Sequence, residues 1–147
     1  MRLLSLGELT VVEGQRTFAA PPARVFELLV DPDVIVSALP AARGHTVVDR
    51  DHWHVRLKPP LPLAPTVTVR FVVLERRPPG HAALLATGAG ADVRSEFELE
   101  ETEGGTLMRW RSELELSGVL GRVAGSGLEP VARRQADRTL DAVARRL

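Results

Sequence analysis

The longest amphipathic stretch of the chain runs from Gly118 to Leu147 and predicts one dominant helix. Between Leu128 and Leu147, apolar or small side chains recur at steps of three and four residues, which places them on one face of an α-helix. The opposite face is rich in arginine and aspartate. Nearly all of the preceding chain has the character of β-strands, so this apolar face must pack on a sheet. The sequence therefore predicts an α+β fold in which a sheet curls around a C-terminal helix.

The start of this long helix is predicted by a local signal. Ser126-Gly127-Leu128-Glu129 has the form of a capping box, and Pro130 then falls in the first turn. A separate short helical turn is expected from Val119 to Ala124. Six arginines and three acidic residues lie between Gly118 and Leu147. This positive balance is compatible with solvent, with an acidic partner protein, or with peripheral contact with anionic lipid headgroups.

Composition excludes several classes of protein. A chain of 147 residues is expected to form a single domain, 1–147, and its net charge of zero argues against a general nucleic-acid binder. The absence of cysteine excludes disulfides, thiolate metal sites and cysteine nucleophiles. No window approaches the 18 apolar residues of a membrane span, and Glu8 and Glu13 come too early for a signal peptide. We expect a cytoplasmic protein.

The N-terminal third predicts a strand followed by two short helices. Strand character extends from Gly7 to Ala20, and Glu13-Gly14 is expected to form a bulge or a tight turn within it. Proline is well tolerated in the first turn of a helix, so a helix is predicted from Pro22 to Val30. Asp31 and the proline after it end that helix, and a second one is expected from Pro32 to Leu39.

Six further strands, separated by turn signals, indicate an antiparallel meander. Alternation assigns their faces: Trp53, Phe97 and Trp110 point to the dry side, with charged neighbours on the wet side. The six predicted strands are Gly44 to Asp49, His52 to Lys58, Thr66 to Arg76, His81 to Thr87, Asp92 to Glu101 and Thr106 to Leu116.

Three stretches of this chain resemble a known superfamily. Ala20 to Asp33, APPARVFELLVDPD, is similar to the opening of START-like (SRPBCC) proteins. Ala38-Leu39-Pro40 and Leu116 to Arg122 resemble stretches of the CoxG-like proteins associated with carbon monoxide dehydrogenase. The resemblance implies the helix-grip (Bet v 1-like) fold, with a seven-stranded antiparallel sheet curled around the C-terminal helix and two short helices between strands 1 and 2.

The resemblance also implies a function. Proteins of this superfamily hold lipids, quinones, sterols or polyketides in an apolar cavity between sheet and helix, and the CoxG-like proteins point to a molybdenum hydroxylase as partner, with a membrane quinone as ligand. A non-enzymatic carrier or accessory protein is therefore expected, with no catalytic residue, metal or cofactor. The residues predicted to line the ligand site are Phe26, Leu39, Trp53, Leu57, Phe71, Leu85, Ser95, Phe97, Trp110, Ser112, Leu114, Leu128, Val131 and Gln135.

Other interpretations of the same residues remain open. A polyketide cyclase or dehydratase would use the same cavity, and a protein-interaction module would have the cavity collapsed. Apolar side chains most often only fill a core, and a buried hydroxyl or amide is most often bonded to backbone or water. The pair His52 and His54 has the spacing of two metal ligands on a strand, but it faces solvent. His45 and His81 are expected to be solvated.

Overall fold

The protein is described by a computed structural model over residues 9–58, 62–88, 90–117 and 128–147. These residues form seven strands and three helices, numbered here in chain order. The strands are β1 (Leu9–Phe18), β2 (Ala42–Asp49), β3 (His52–Leu57), β4 (Val67–Arg77), β5 (His81–Gly88), β6 (Ala91–Thr102) and β7 (Gly105–Leu116), and the helices are α1 (Pro22–Leu29), α2 (Pro32–Ser37) and α3 (Leu128–Ala144).

The seven strands form one antiparallel sheet in the order β1-β7-β6-β5-β4-β3-β2. Strands β2 to β7 follow one another as a meander, and β1 pairs with the last strand. Helices α1 and α2 connect β1 at one edge of the sheet to β2 at the other. This architecture confirms the predicted helix-grip fold, with element boundaries that differ from the sequence prediction by a few residues.

Strand β1 is continuous, so the predicted interruption at Glu13-Gly14 is wrong. Its pairing with β7 runs without a register shift from Leu9 to Phe18. Gly14 lies opposite Trp110, and a Cβ atom at Gly14 would come within 2.9 Å of the indole ring. The glycine is therefore explained by the close approach of the Trp110 indole to the neighbouring strand, and not by a turn.

Helices α1 and α2 form where the proline signals predict them. Pro22 opens α1, and Asp31 caps α2 by accepting a hydrogen bond from the backbone N–H of Asp33 at 2.9 Å. The apolar side of α1 includes Val25 and Leu29, both at most 1% exposed. Both helices therefore close one end of the space on the inner face of the sheet.

Helix α3 buries one face and exposes the other. Ala132, Leu140, Ala142 and Val143 are buried on it. Val131 is 51% exposed, so its predicted place on the buried face is wrong. Val131 precedes Leu140 by two and a half turns and therefore lies on the opposite side of the helix. The predicted capping residues Ser126 and Gly127 and the predicted turn from Val119 to Ala124 lie outside the described residues.

Two apolar clusters fill much of the space between the sheet and the helices. One joins β1 and β7 to α1 and α3, and it includes Val12, Met108 and Val143. The other packs residues of α1 and α2 on β3, β4 and β5, around Trp53. Phe97 contacts both clusters. In the described ranges, no helix has the length and apolar character needed to cross a membrane.

Candidate functional site

A cavity of about 330 Å³ lies between the inner face of the sheet and helix α3. Strands β3 to β7 supply one wall, and α3 supplies the facing wall through Ala132, Gln135, Ala136, Thr139 and Leu140. Leu29, Ile35 and Leu39 from α1, α2 and the residues after α2 line one end. The space is therefore bounded by elements that are distant in sequence and that only the fold brings together.

Most of the residues predicted for the site do line this cavity. They come from strands β3, β4, β6 and β7, from the residues after α2 and from α3. That they contact a ligand stays a prediction. The lining residues in this group are Leu39, Leu57, Phe71, Ser95, Phe97, Trp110, Ser112, Leu114 and Gln135.

Five residues predicted for the site are absent from the cavity wall. Phe26 and Trp53 are buried in the second apolar cluster, and Leu128 packs against the first. Val131 is exposed on the other side of α3. Leu85 lies on the outer face, because its neighbour Leu84 points into the cavity and successive side chains of a strand alternate.

The sequence prediction missed the small residues of the cavity wall. Ala132 and Ala136 on α3, and Ala86, Gly88 and Ala91 on β5 and β6, all line the cavity. Small side chains leave space where larger ones would fill it. A search for bulky apolar residues overlooks such positions, although the helical spacing of the two alanines with Gln135 and Thr139 was a usable signal.

The polar groups of the sheet wall are two serine hydroxyls. Ser95 of β6 and Ser112 of β7 stand directly opposite each other in the strand register, and their Oγ atoms are 2.8 Å apart. Cross-strand hydroxyl pairs of this kind stabilise a sheet modestly. Both serines line the cavity, so the pair forms one polar point on an otherwise apolar wall.

The polar groups of the helix wall are the side chains of Gln135 and Thr139. The Gln135 amide nitrogen donates hydrogen bonds to the Ala38 carbonyl oxygen at 2.9 Å and to Thr139 Oγ1 at 3.4 Å. The Thr139 hydroxyl donates to the Gln135 carbonyl oxygen at 3.1 Å. Gln135 thereby links α3 to the residue after α2, and no described residue donates a hydrogen bond to its side-chain carbonyl oxygen.

An aromatic stack supports the wall behind Phe71. The rings of Trp53 and Phe71 stack at 5.5 Å between centroids with 7° between their planes. Trp53 is fully buried, and its indole Nε1–H has no hydrogen-bond partner among the described residues. The stack holds Phe71 in place as a flat apolar surface of the cavity.

None of the described residues that line the cavity has a titratable side chain. Their polar groups are hydroxyls and a primary amide, which orient a ligand by hydrogen bonds. General acid or base catalysis by a lining side chain would need a group such as histidine or a carboxylate. The arrangement is therefore suited to holding a largely apolar molecule.

Charged groups gather on the outer face of the same strands. His81 lies between Glu75 and Glu98, with each ring nitrogen 2.6 Å from a carboxylate oxygen. The side chain of His81 is only 16% exposed, so the expectation that it is solvated is wrong. Its ring and the carboxylates of Glu96 and Glu98 bring three potential metal-ligand atoms within 4.8 Å of one another. Since both ring nitrogens already face carboxylates, a cation there would have to displace a proton.

The electrostatics of this group favour a charged histidine. Partial burial lowers the pKa of His81, but the hydrogen bonds to Glu98 and Glu75 outweigh burial and raise that pKa above its ordinary value. The hydrogen bond from His81 in turn lowers the pKa of Glu75. The side chain of His81 thus ties β4, β5 and β6 together on the outer face, away from the cavity.

Two of the other histidines, His45 and His52, have carboxylate partners. His52 lies 2.8 Å from Asp49, and this hydrogen bond lowers the pKa of the Asp49 carboxyl. His45 Nε2 lies 3.0 Å from Asp33. His52 and His54 have the spacing of two metal ligands, but no metal site was predicted there because they face solvent, and the structure gives His52 a carboxylate partner at the β2–β3 turn.

Solved structures share this fold. A conserved protein from Geobacillus kaustophilus superposes with a TM-score of 0.80 at 15% identity, over 93% of this chain and 94% of that one. A START superfamily protein from Mycobacterium smegmatis superposes with a TM-score of 0.71 at 12% identity, over 92% of this chain and 95% of that one. The di-domain ARO/CYC StfQ of the steffimycin biosynthetic pathway superposes with a TM-score of 0.69 at 12% identity, over 92% of this chain and 50% of that one.

The sequence comparisons agree with the fold. No curated protein matches the chain. A family model described as "Polyketide cyclase / dehydrase and lipid transport" matches residues 10–147, a range that contains every described element except the first residue of β1. With this match over nearly the whole sequence, on a helix-grip fold that bounds an apolar cavity, the chain belongs to the polyketide cyclase / dehydrase and lipid transport family.

Proposed function

We propose that this protein binds one lipid-like or quinone-like molecule between the sheet and α3 and carries it without changing it chemically. The observation that carries the proposal is the cavity of about 330 Å³ with an apolar wall and no titratable side chain among its described lining residues. The cavity also disfavours the alternative of an interaction module in which this space has collapsed.

The size of the cavity limits the ligand. Small-molecule sites in proteins have volumes of about 300–1,000 Å³, so 330 Å³ is at the lower end of that range. Apolar contact with Phe71, Phe97, Trp110 and Leu114 would supply most of the affinity, at about 25 cal/mol for each Å² of apolar surface buried. A single ring system or one folded chain fits this description better than a large sterol.

A polyketide cyclase is the second candidate, and the family description and the likeness to the ARO/CYC StfQ favour it. Such an enzyme would gain most from a positioned acid or base at the reacting carbons. Ser95, Ser112, Gln135 and Thr139 are the polar groups that the described wall offers instead. This set supports binding and orientation more directly than proton transfer.

The resemblance to the CoxG-like proteins of carbon monoxide dehydrogenase supports a more specific role. In this proposal the protein acts in the cytoplasm as an accessory of a molybdenum hydroxylase and delivers a quinone to it. Affinity purification of the tagged chain from its native host would test the partnership. Recovery of a molybdenum hydroxylase in stoichiometric amount is expected, and its absence would leave only the carrier function.

The carrier function is tested by identifying what the protein holds. The full chain is purified, an organic extract is examined by mass spectrometry, and the stripped protein is titrated with a panel of quinones, fatty acids and aromatic polyketides. Since Trp110 lines the cavity and the chain has only two tryptophans, tryptophan fluorescence is expected to respond to binding. A protein that is empty as purified and binds no member of the panel would contradict the carrier proposal, whereas turnover of a polyketide would favour the cyclase.

A further inference from the structure

The two serines on the sheet wall can donate two hydrogen bonds, but only one of these is made to a described residue. Ser95 and Ser112 stand opposite each other, 2.8 Å apart, and both line the cavity. Each hydroxyl carries one hydrogen. The bond between them uses one of the two, whichever serine donates, so the other hydrogen remains. No described residue accepts it in a further hydrogen bond.

The surroundings of the pair are apolar. Val93 and Phe97 flank Ser95 on the inner face of β6, and Trp110 and Leu114 flank Ser112 on β7. A ligand that fills the cavity with carbon alone would displace water from the remaining hydroxyl hydrogen and leave that hydrogen without a partner. A ligand with an oxygen acceptor at this point would satisfy it.

The same wall also disfavours a negative charge on the acceptor group of the ligand. No arginine, lysine or histidine is found among the described lining residues, so a carboxylate would enter without a counter-charge. Transfer of an unpaired charge into an apolar site is much more costly than transfer of a neutral carbonyl. The site therefore discriminates between two acceptors that are similar in shape.

We propose that the Ser95–Ser112 pair is the recognition point for a neutral carbonyl oxygen, and that the ligand class is an apolar ketone or quinone. This inference rests on the proposed function, since it assigns chemistry to the same cavity. One serine hydroxyl donates to the other, and the second donates to the carbonyl of the ligand. The pair acts as one donor fixed by the register of β6 and β7.

Three probes of similar shape test the inference. 1,4-Naphthoquinone carries two carbonyl oxygens, naphthalene has none, and 2-naphthoate adds a negative charge. The chain has no cysteine, so the quinone cannot form a thiol adduct. Dissociation constants are measured by equilibrium dialysis for the wild type and for the double variant S95A/S112A. Replacing both serines leaves no single hydroxyl without its partner, so the fold should be retained, and circular dichroism checks this.

The expected result is a change in the ratio of affinities. In S95A/S112A the preference for naphthoquinone relative to naphthalene should fall about tenfold, and naphthalene should bind at least as tightly as it binds to the wild type, because no hydroxyl is left without a partner. The wild type should bind 2-naphthoate more weakly than naphthoquinone. Ser117→Ala, which removes an exposed hydroxyl beyond the end of β7, should leave the ratio unchanged.

Two results would overturn the inference, and they are distinguishable. If both neutral probes bind and the ratio is the same in the wild type and S95A/S112A, the serine pair does not recognise the carbonyl, although the cavity still binds ligands. If none of the probes binds to the wild type, the proposed function itself fails, and the inference fails with it.

Discussion

The layer between the sheet and α3 is packed at one end and hollow at the other. At the packed end, Arg16 of β1 pairs with Asp141 of α3 at 2.8 Å, and the side chains of Val12, Met108 and Val143 are at most 1% exposed. At the hollow end, α3 presents Ala132, Gln135, Ala136 and Thr139 to the cavity. Both ends belong to the same helix and the same sheet.

The two ends differ in the side chains that α3 presents. Over the cavity, the helix presents two alanines and the polar side chains of Gln135 and Thr139, whereas at the packed end Val143 is fully buried among apolar side chains. Protein interiors are close-packed, so a space of this size persists only where the surrounding side chains cannot reach across it. The packed end therefore determines the stability of the fold, and the hollow end determines its capacity for a ligand.

The largest expected effect is a loss of stability at the packed end. Met108→Ala should lower the free energy of unfolding by about 2–5 kcal/mol, because the substitution removes a fully buried side chain and leaves a void. Urea unfolding followed by circular dichroism measures the change. Well below its melting temperature, the variant should still bind the ligand of the wild type, since Met108 does not line the cavity.

A matched control for this prediction is Leu74→Ala on β4. Leu74 is 45% exposed and should lose less than about 1 kcal/mol. If Met108→Ala were no more harmful than Leu74→Ala, the contrast between a packed end and a hollow end would be incorrect.

The next effect concerns the hollow end and should change binding without a comparable loss of stability. Ala136→Leu places a larger side chain into the cavity, which should weaken ligand binding at least about tenfold. The stability of the empty protein should change by less than about 1.5 kcal/mol, because the leucine enters a space that already exists. Titration of the ligand and urea unfolding of the same variant measure both quantities.

The control for Ala136→Leu places the same residue on the solvent side of α3. Arg134 is exposed, and Arg134→Leu should leave ligand affinity unchanged. A large loss of stability in Ala136→Leu, together with normal affinity, would show that the helix wall is packed at this point and that the cavity lies elsewhere.

The sequence was sufficient for the fold because strands and helices leave periodic signals. Alternation placed Ser95, Phe97, Trp110 and Ser112 on the inner face, and three- and four-residue spacing identified the apolar face of α3. The motif around Pro22 located α1 and α2. These signals are local, so they survive without knowledge of the tertiary structure.

What the sequence did not reveal depends on contacts between distant elements. Gly14 looked like a chain interruption because the indole of Trp110, nearly one hundred residues away, is invisible in the local pattern. Leu85 was assigned to the wrong face because both it and Leu84 are apolar, so alternation could not choose between them. His81 acquires its carboxylate partners only when β4, β5 and β6 pair.

The smallest expected effect distinguishes the two faces of the sheet by their response to pH. The described cavity wall has no titratable side chain, whereas the outer face holds His81 between Glu75 and Glu98. Two arginines lie beside this group: Arg77 forms an ion pair with Glu75, and Arg94 forms one with Glu96. Stability should therefore depend on pH through this group, and the affinity for a neutral ligand should not.

The sign of the effect follows from the two pKa directions. The pKa of His81 is raised above its ordinary 6.5, so its contribution to stability is complete below pH 6.5 and is lost as pH rises through the folded-state pKa. The pKa of Glu75 is lowered from 4.5, so its contribution is present above pH 4.5 and is lost as pH falls through the folded-state pKa. The two contributions are therefore present together between 4.5 and 6.5.

His81→Gln should accordingly lose more stability at about pH 5.5 than at about pH 9, because glutamine keeps a hydrogen-bonding side chain but removes the charge. The midpoint of urea unfolding, measured for both proteins at both pH values, gives the comparison. Glu98→Gln removes one of the two carboxylates and should reduce the pH dependence of the wild type without abolishing it. An equal loss for His81→Gln at both pH values would mean that the pKa of His81 is the same in the folded and the unfolded protein, so that the two carboxylates do not stabilise its charged form. The affinity for a neutral ligand should be the same at both pH values, since the charge that is lost lies on the other side of the sheet from the cavity.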